Sequence, residues 1–371
     1  RATVIKPEQV VQLCYGTRLF EKVVLELSRV QFQAIPTTND AEQLLSHLVK
    51  KAGVSKWVSG RTFRVSCIKS FAQHDVDDSH DVVPSLEMVG LTGAAILAAC
   101  PKTKVKLENP EVIVQLIYLK KALVLSLDLC GFELSKREYR IFNHSRAVRG
   151  TVAAAAFSLT QWKKGKILVD PLGKAGVLLI EAALAASKRP VHYFQKDKFL
   201  ITRLGRPFTK QVVQRVMKAV DKKARKIDPT LYYQDQSQRF VAAAKKNAKI
   251  AGVDKFIKFS RTEVSWLDLR FEENTVAVIL TQVPTPGKNN ARKEIEEMLA
   301  ELFYQAAYVL EKKGAVVLIC SDSAISKKGA EKHCFTLERE LNIYQGMLPL
   351  VLQRWIPRKS SRRPRNLLIF D

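Results

Sequence analysis

Apolar positions recur along this chain in two arrangements, and the arrangement changes near residue 150. Over the first 130 or so residues, strand-like and helix-like stretches alternate without a fixed repeating unit. Residues 10–15 form a short apolar run. Residues 18–27 place Phe20, Val23, Val24 and Leu27 at helical spacing, which predicts a helix. Residues 61–68 read as a strand, and 82–99 as a helix behind a Pro84-Ser85 start. Residues 111–119 and 122–129 read as strands, and the short Lys120-Lys121 link predicts a hairpin. This is an α+β pattern; residues 131–150 read as a linker.

From residue 151, strand and helix patterns alternate regularly, which predicts a mostly parallel, doubly wound sheet in an α/β domain over 151–371. An alanine-rich helix is expected over 151–161, and a buried strand over 166–170 ending in Asp170-Pro171. A helix with almost no polar residue follows over 178–186. Further strands are expected at 231–234, 256–259, 276–281 and 315–320. The basic helix Gln238–Ala251 should stop at Gly252, and a helix over 295–311 should stop at Lys312-Lys313-Gly314. Two last strands, 348–355 and 366–370, flank a basic connection. A long insertion, 188–230, separates the first crossover helix from the second strand.

Charge adds a partner to this picture. Sixty-one Lys and Arg stand against 36 Asp and Glu, a net charge of +25. Such an excess favours a polyanion through counterion release and long-range steering, with nucleic acid preferred over a lipid surface. Two basic clusters are candidate phosphate contacts: Lys218, Lys222, Lys223, Arg225 and Lys226 in the insertion, spaced as on one helix face, and Arg358, Lys359, Arg362, Arg363 and Arg365 in the tail. No apolar run approaches the roughly 18 residues of a membrane helix, so no membrane partner is expected. Six scattered cysteines without a C-x-x-C pair argue against a zinc ribbon or a disulfide scaffold and for buried thiols in a reducing compartment. The stretch from His74 to Asp81 reads as a solvated acidic loop, not a metal site, and no metal is expected. His144 and His192 lack a nucleophile partner. The chain starts at Arg1 without methionine, so an upstream piece is expected.

One stretch carries specific chemistry: Asp170-Pro171-Leu172-Gly173-Lys174-Ala175-Gly176-Val177, continuing to Ile180-Glu181-Ala182-Ala183. A strand end, a turn of small residues and a helix N-terminus are what close backbone approach to a nucleotide cofactor requires. The stretch resembles the cofactor loop, D-P-x-C-G-S-G-T-x-x-I-E-A-A, of the class I (Rossmann-like) RNA methyltransferases that carry an N-terminal THUMP domain. Residues 143–156 resemble that family's segment ahead of the loop, and residues 244–253 its helix with an Asn-Ala…Ala-Gly ending. The resemblance implies a THUMP-like, RNA-binding region over 1–130. It also implies S-adenosylmethionine as cofactor, with Asp170, Gly173, Gly176, Asp235 and Glu263 as cofactor residues. The chain departs from the pattern at Lys174, where the family has its first glycine, and at Ser237, where a second acid usually stands.

The family's catalytic N-P-P-Y or D-P-P-Y positions an exocyclic amine by side-chain and carbonyl hydrogen bonds and stacks the base on the aromatic ring. Here the register gives Gln282-Val283-Pro284-Thr285, so Gln282 and Pro284 are the candidate catalytic positions in a departing motif. Two expectations follow. One is a methyltransferase-like protein with weak or no transfer that binds structured RNA, ribosomal in preference to transfer RNA, beside ribosomal proteins or assembly factors. The other is an active S-adenosylmethionine-dependent guanine-N2 methyltransferase of ribosomal or transfer RNA. The scarcity of acids leans towards a mitochondrial or other organellar ribosome, with the cytoplasm also open.

Overall fold

The computed structural model describes residues 6–33, 38–69, 83–142, 146–287 and 291–358. The acidic stretch from His74, the start of the 143–156 segment, the tail residues Lys359, Arg362, Arg363 and Arg365 and the strand expected at 366–370 lie outside them. Two compact units emerge, Arg1–Leu134 with His192–Lys222, and Ser135–Val191 with Lys223–Asp371.

The first unit runs α1 (Pro7–Gly16), β1 (Val24–Gln31), α2 (Thr38–Ala52), the single turn α3 (Ser55–Val58), β2 (Thr62–Lys69), α4 (Ser85–Ala99), β3 (Lys104–Val105), β4 (Val112–Leu119) and β5 (Ala122–Asp128). Its sheet has the order β1-β5-β4-β2-β3. The hairpin expected across Lys120-Lys121 is β4 and β5. The helix expected over 18–27 is absent: Phe20 is exposed, and Val24 onward pairs antiparallel with β5. The periodicity there was coincidental, and the unpaired edge of the fully buried β5 took the segment as a strand. The apolar run at 10–15 lies inside α1, with Val11, Cys14 and Tyr15 on the buried face.

The second unit begins with α5 (Gly150–Leu159), β6 (Ile167–Asp170) and α6 (Val177–Ala186). The chain then crosses to the first unit for α7 (Lys210–Asp221), and returns as β7 (Leu231–Asp235), α8 (Gln238–Ala251), β8 (Ile257–Arg261), β9 (Val276–Gln282), α9 (Arg292–Val309), β10 (Leu310–Cys320), α10 (Lys327–Lys332), β11 (Phe335–Gln345) and β12 (Leu348–Pro357). The seven strands are ordered β11-β12-β10-β9-β6-β7-β8. The five strands from β10 to β8 run parallel, and β12 is antiparallel to both neighbours. Gly252 takes the left-handed conformation that ends α8, as its position predicts. The stop expected at Lys312-Lys313-Gly314 is wrong by a few residues, because Leu310 already pairs with Val276 and draws these residues into β10. No described helix is long and apolar enough to cross a membrane.

Most of the insertion, His192–Lys222, belongs to the first unit, a correction to its placement in the sheet domain by the sequence. Val213, Val216 and Met217 on α7 bury with Phe199 and Ile201 in the first unit's core. Tyr15 of α1 donates to Asp221 at 2.7 Å.

A buried ion pair ties the segment ahead of α5 to the helix behind the glycine-containing loop. Arg137 Nε donates to Glu181 Oε1 at 2.8 Å, both side chains are fully buried, and the Tyr139 hydroxyl donates to the same oxygen at 2.8 Å. A Cβ at Gly150 would sit 2.4 Å from Arg137 Nε, so only glycine can open α5 beside this pair. Burial and the neighbouring Glu181 charge push the Tyr139 phenol far above its ordinary range, so it stays protonated and donating. Removing one partner strands the other charge in the core. Glu181→Ala or Arg137→Ala should therefore cost about 3–5 kcal/mol in urea unfolding, whereas the double replacement Arg137→Met with Glu181→Leu should recover most of it.

Candidate functional site

The parallel strands direct their carboxyl ends to one edge, where ligands bind in open α/β sheets. Asp170 ends β6, Asp235 ends β7 and Gln282 ends β9. Between β6 and α6 the loop turns tightly. Gly173 N–H donates to the Gln234 carbonyl at 2.9 Å, and a Cβ there would meet the Tyr233 ring at 2.1 Å. Gly176 has φ +79° at the start of α6, and a Cβ there would lie 2.9 Å from Ala244. Lys174 has φ +45°, the left-handed region that glycine fills without strain.

Hydrogen bonds fix this loop. Lys174 N–H donates to Asp235 Oδ2 at 2.9 Å, and the Tyr233 hydroxyl donates to the Lys174 carbonyl at 2.6 Å. Ser237 N–H donates to Asp235 Oδ1 at 2.8 Å, so Ser237 supplies backbone support, not a second acid. Asn247, fully buried on α8, donates to the carbonyls of Ala175 and Phe142 and accepts from Phe142 N–H. This clamp explains the Asn-Ala pattern that the sequence shows without giving its role.

The titratable groups at this edge are perturbed. Asp170 Oδ1 accepts from the Thr281 hydroxyl at 2.8 Å and Leu172 N–H at 3.3 Å, while Oδ2 is buried with no hydrogen-bond partner. Burial pushes its carboxyl up to about 7, against the opposing pull of those donors. Burial likewise draws the half-buried Lys174 ammonium down to about 8, although the carboxylates of Asp170 and Asp235 favour its charged form. The orphaned Oδ2 and the acid at Asp235 fit a ligand that brings N–H and O–H donors, as S-adenosylmethionine does. The Lys174 ammonium, close enough to both acids to feel their charge, would compete with such a ligand for them.

The remaining candidates divide. Gln282 is buried and both ends of its amide are engaged, Nε2 donating to the Arg146 carbonyl at 2.8 Å and Oε1 accepting from Val148 N–H at 3.3 Å. Pro284 is half-buried in the following loop. Glu263 comes after β8, with an exposed carboxylate that accepts no hydrogen bond from the described residues. His192 is structural, its ring within hydrogen-bond distance of Gln195 and of the Leu134 carbonyl. Sequence reasoning missed Tyr233, Thr281, Asn247 and Arg146, which act through contacts far apart in the chain.

The basic clusters also divide. In the first unit, Lys196, Asp197, Thr202, Arg203, Lys210, Gln214, Met217, Lys218 and Asp221 line a cavity of about 410 Å³. Lys196 neutralises Asp221, while Arg203, Lys210 and Lys218 are exposed cations without a carboxylate partner among the described residues. Lys222, Lys223, Arg225 and Lys226 do not continue the helix face, because α7 ends at Asp221. Arg225 is held by the Ala186 carbonyl at 3.1 Å. Arg358 donates to the Thr336 hydroxyl at 3.2 Å at the end of β12.

A pH dependence follows from Asp170. Its carboxyl is more readily protonated in the folded chain than its ordinary value of 3.8 allows, so its contribution to stability falls as pH rises from about 4 to about 7. Asp170→Asn should melt at least ~2 °C above the wild type at pH 8 and lose that advantage near pH 4, as read by thermal unfolding across pH.

The fold and this chain's sequence have relatives. A methylase from Clostridium difficile 630, described as possible, superposes with a TM-score of 0.78 at 21% identity, covering 96% of this chain and 89% of that one. SMU.472 complexed with SAH superposes with a TM-score of 0.76 at 20% identity, covering 95% and 89%. Both show a class I, Rossmann-like methyltransferase fold. Among sequence relatives, the tRNA (guanine(6)-N2)-methyltransferase of Methanocaldococcus jannaschii is 25% identical over 288 residues, 76% of this chain and 74% of its own. The ribosomal RNA large subunit methyltransferase K/L of Chromohalobacter salexigens is 31% identical over 202 residues, 53% of this chain but 28% of its own. Residues 137–351 match the model of the RMKL-like methyltransferase domain, UPF0020, and with more than half its length inside that match the chain belongs to this family.

Proposed function

We propose that this chain is an S-adenosylmethionine-dependent RNA methyltransferase of guanine-N2 type that binds structured RNA. The carrying observation is the carboxyl edge, where Asp170 with its orphaned Oδ2, the Gly173–Gly176 turn and Asp235 stand together on a methyltransferase sheet. The named activities of the sequence relatives support the reading. In it, the bound cofactor supplies the methyl group. Asp170 would accept from its amine through the orphaned Oδ2, and Asp235 would accept from its ribose hydroxyls. Glu263, exposed after β8, would be available to the adenine amine. Backbone carbonyls of the loop through Pro284 orient the guanine amine, since the Gln282 amide is already engaged. Proximity and orientation carry most of the rate.

The first unit serves in this reading as the THUMP-type RNA-binding module. Arg203, Lys210 and Lys218 contact phosphates, joined by Lys222, Lys223, Lys226 and the tail arginines, and ribosomal or transfer RNA is the substrate.

A second reading is favoured by two observations: Lys174 stands in the loop with its ammonium beside Asp170 and Asp235, and both ends of the Gln282 amide are consumed. In that reading the chain binds structured RNA with little or no transfer, as a ribosome-associated or assembly protein, in an organellar compartment in one version.

Incubation with methyl-tritiated S-adenosylmethionine and total RNA, followed by nucleoside analysis, separates the two. The first predicts label in N2-methylguanosine, lost in Asp235→Ala. RNA binding without label supports the second and overturns the first. Affinity for that RNA should also fall steeply with salt, and Lys210→Glu with Lys218→Glu should weaken it and reduce the slope of log affinity against log salt by roughly 2.

A further inference from the structure

The β11–β12 hairpin ends in large apolar side chains that no described residue covers. Tyr344 is 75% exposed and Met347 88%. Leu348 beside them is also exposed, and the chain reverses through Gly346 at φ +64°. The Tyr344 hydroxyl has no hydrogen-bond partner among the described residues.

Topology places this tip at the carboxyl edge. Because β12 is antiparallel to both β10 and β11, β11 runs in the same direction as β6, β7, β9 and β10 and ends at the same edge as Asp170, Asp235 and Gln282. Val351 of β12 lies opposite Cys320, the last residue of β10, so the three residues from Val351 back to Leu348 overhang that edge by ~10 Å. The overhang is anchored. Gln345 Oε1 accepts from Arg149 N–H at 2.5 Å, and the same short segment is gripped from the other side by Gln282 through Arg146 and Val148. Four consecutive residues therefore separate the end of β9 from the hairpin tip.

Resting on the RNA methyltransferase reading, we propose that Tyr344, flanked by Met347, is the surface on which the target nucleobase stacks at this edge. The loop after β9 offers Thr285, which has no ring, so an extruded base finds no aromatic face there. An unpaired base has two flat apolar faces, and aromatic side chains are the usual platform for it. The chain's +25 charge and the neighbouring Arg146 and Arg149 suit the phosphates on either side of that base. Tyr344 acts by positioning, in a different element from the family position it replaces.

The test uses the whole chain and fluorescein-labelled unfractionated transfer RNA as probe. Tyr344→Ala should weaken binding about fivefold or more, and Tyr344→Phe should stay within twofold of wild type. Stacking releases no counterions, so Tyr344→Ala should leave the salt slope unchanged, unlike the lysine reversals in the cavity. Irradiation at 254 nm should crosslink a nucleotide to the peptide containing Tyr344. Wild-type affinity in Tyr344→Ala, with crosslinks only elsewhere, overturns the inference while leaving RNA binding intact. A wild-type chain that does not bind the RNA overturns the RNA reading and this inference with it. Unchanged melting of both variants confirms that the hairpin is folded in each.

Discussion

The fully buried pair Arg137–Glu181 is the constraint on which the site depends. Glu181 lies one turn into α6, directly behind the loop that carries Gly173, Lys174 and Gly176. Arg137 begins the segment that passes the ends of β9 and β11 before entering α5. Two desolvated charges have no favourable alternative to each other, so the pair fixes these elements in one register. With that register set, residues 146–149 are held where Gln282 grips them from one side and Gln345 from the other. The close approach also dictates Gly150, since any Cβ there would collide with the guanidinium.

The cofactor edge shows a second economy, in which one side chain serves several backbone groups. Asp235 accepts from two N–H groups, Asn247 bridges two loops, and Tyr233 fills the space that Gly173 leaves. These bonds shape the turn whatever it binds. The unusual element is Lys174, which accepts a left-handed backbone and places an ammonium among buried acids. Its charge is felt by Asp170 and Asp235 through space, while Asp170 Oδ2 keeps no hydrogen-bond partner, so a ligand that brings donors would compete with that cation.

Much of the second unit was legible in the sequence because β6, β9 and β10 carry apolar runs and α8 ends at Gly252. The Asp170–Ala183 stretch marks a strand end, a tight turn and a helix start from its residue types alone. β11 went unread although Phe335, Leu337, Leu341 and Ile343 largely alternate with polar residues, because the charged run Glu338-Arg339-Glu340 at a register shift breaks the alternation in its middle. β1 was misread because four apolar residues happened to sit at helical spacing while its pairing partner lay a hundred residues away. The insertion was read as part of the sheet domain; only packing could reveal that α7 buries its apolar face with α1. Gln282 looked like a weakened catalytic residue, and the structure gives its amide a different task, holding Arg146 and Val148. No spacing rule links residues more than a hundred positions apart.

The central claim is that this edge still admits S-adenosylmethionine once the Lys174 side chain gives way. Calorimetric titration of the wild type and of Lys174→Gly tests it most directly. The account predicts one-to-one binding to the wild type and at least about fivefold tighter binding to Lys174→Gly, where glycine removes the competing ammonium and suits the backbone angle. No heat of binding in either protein would contradict it.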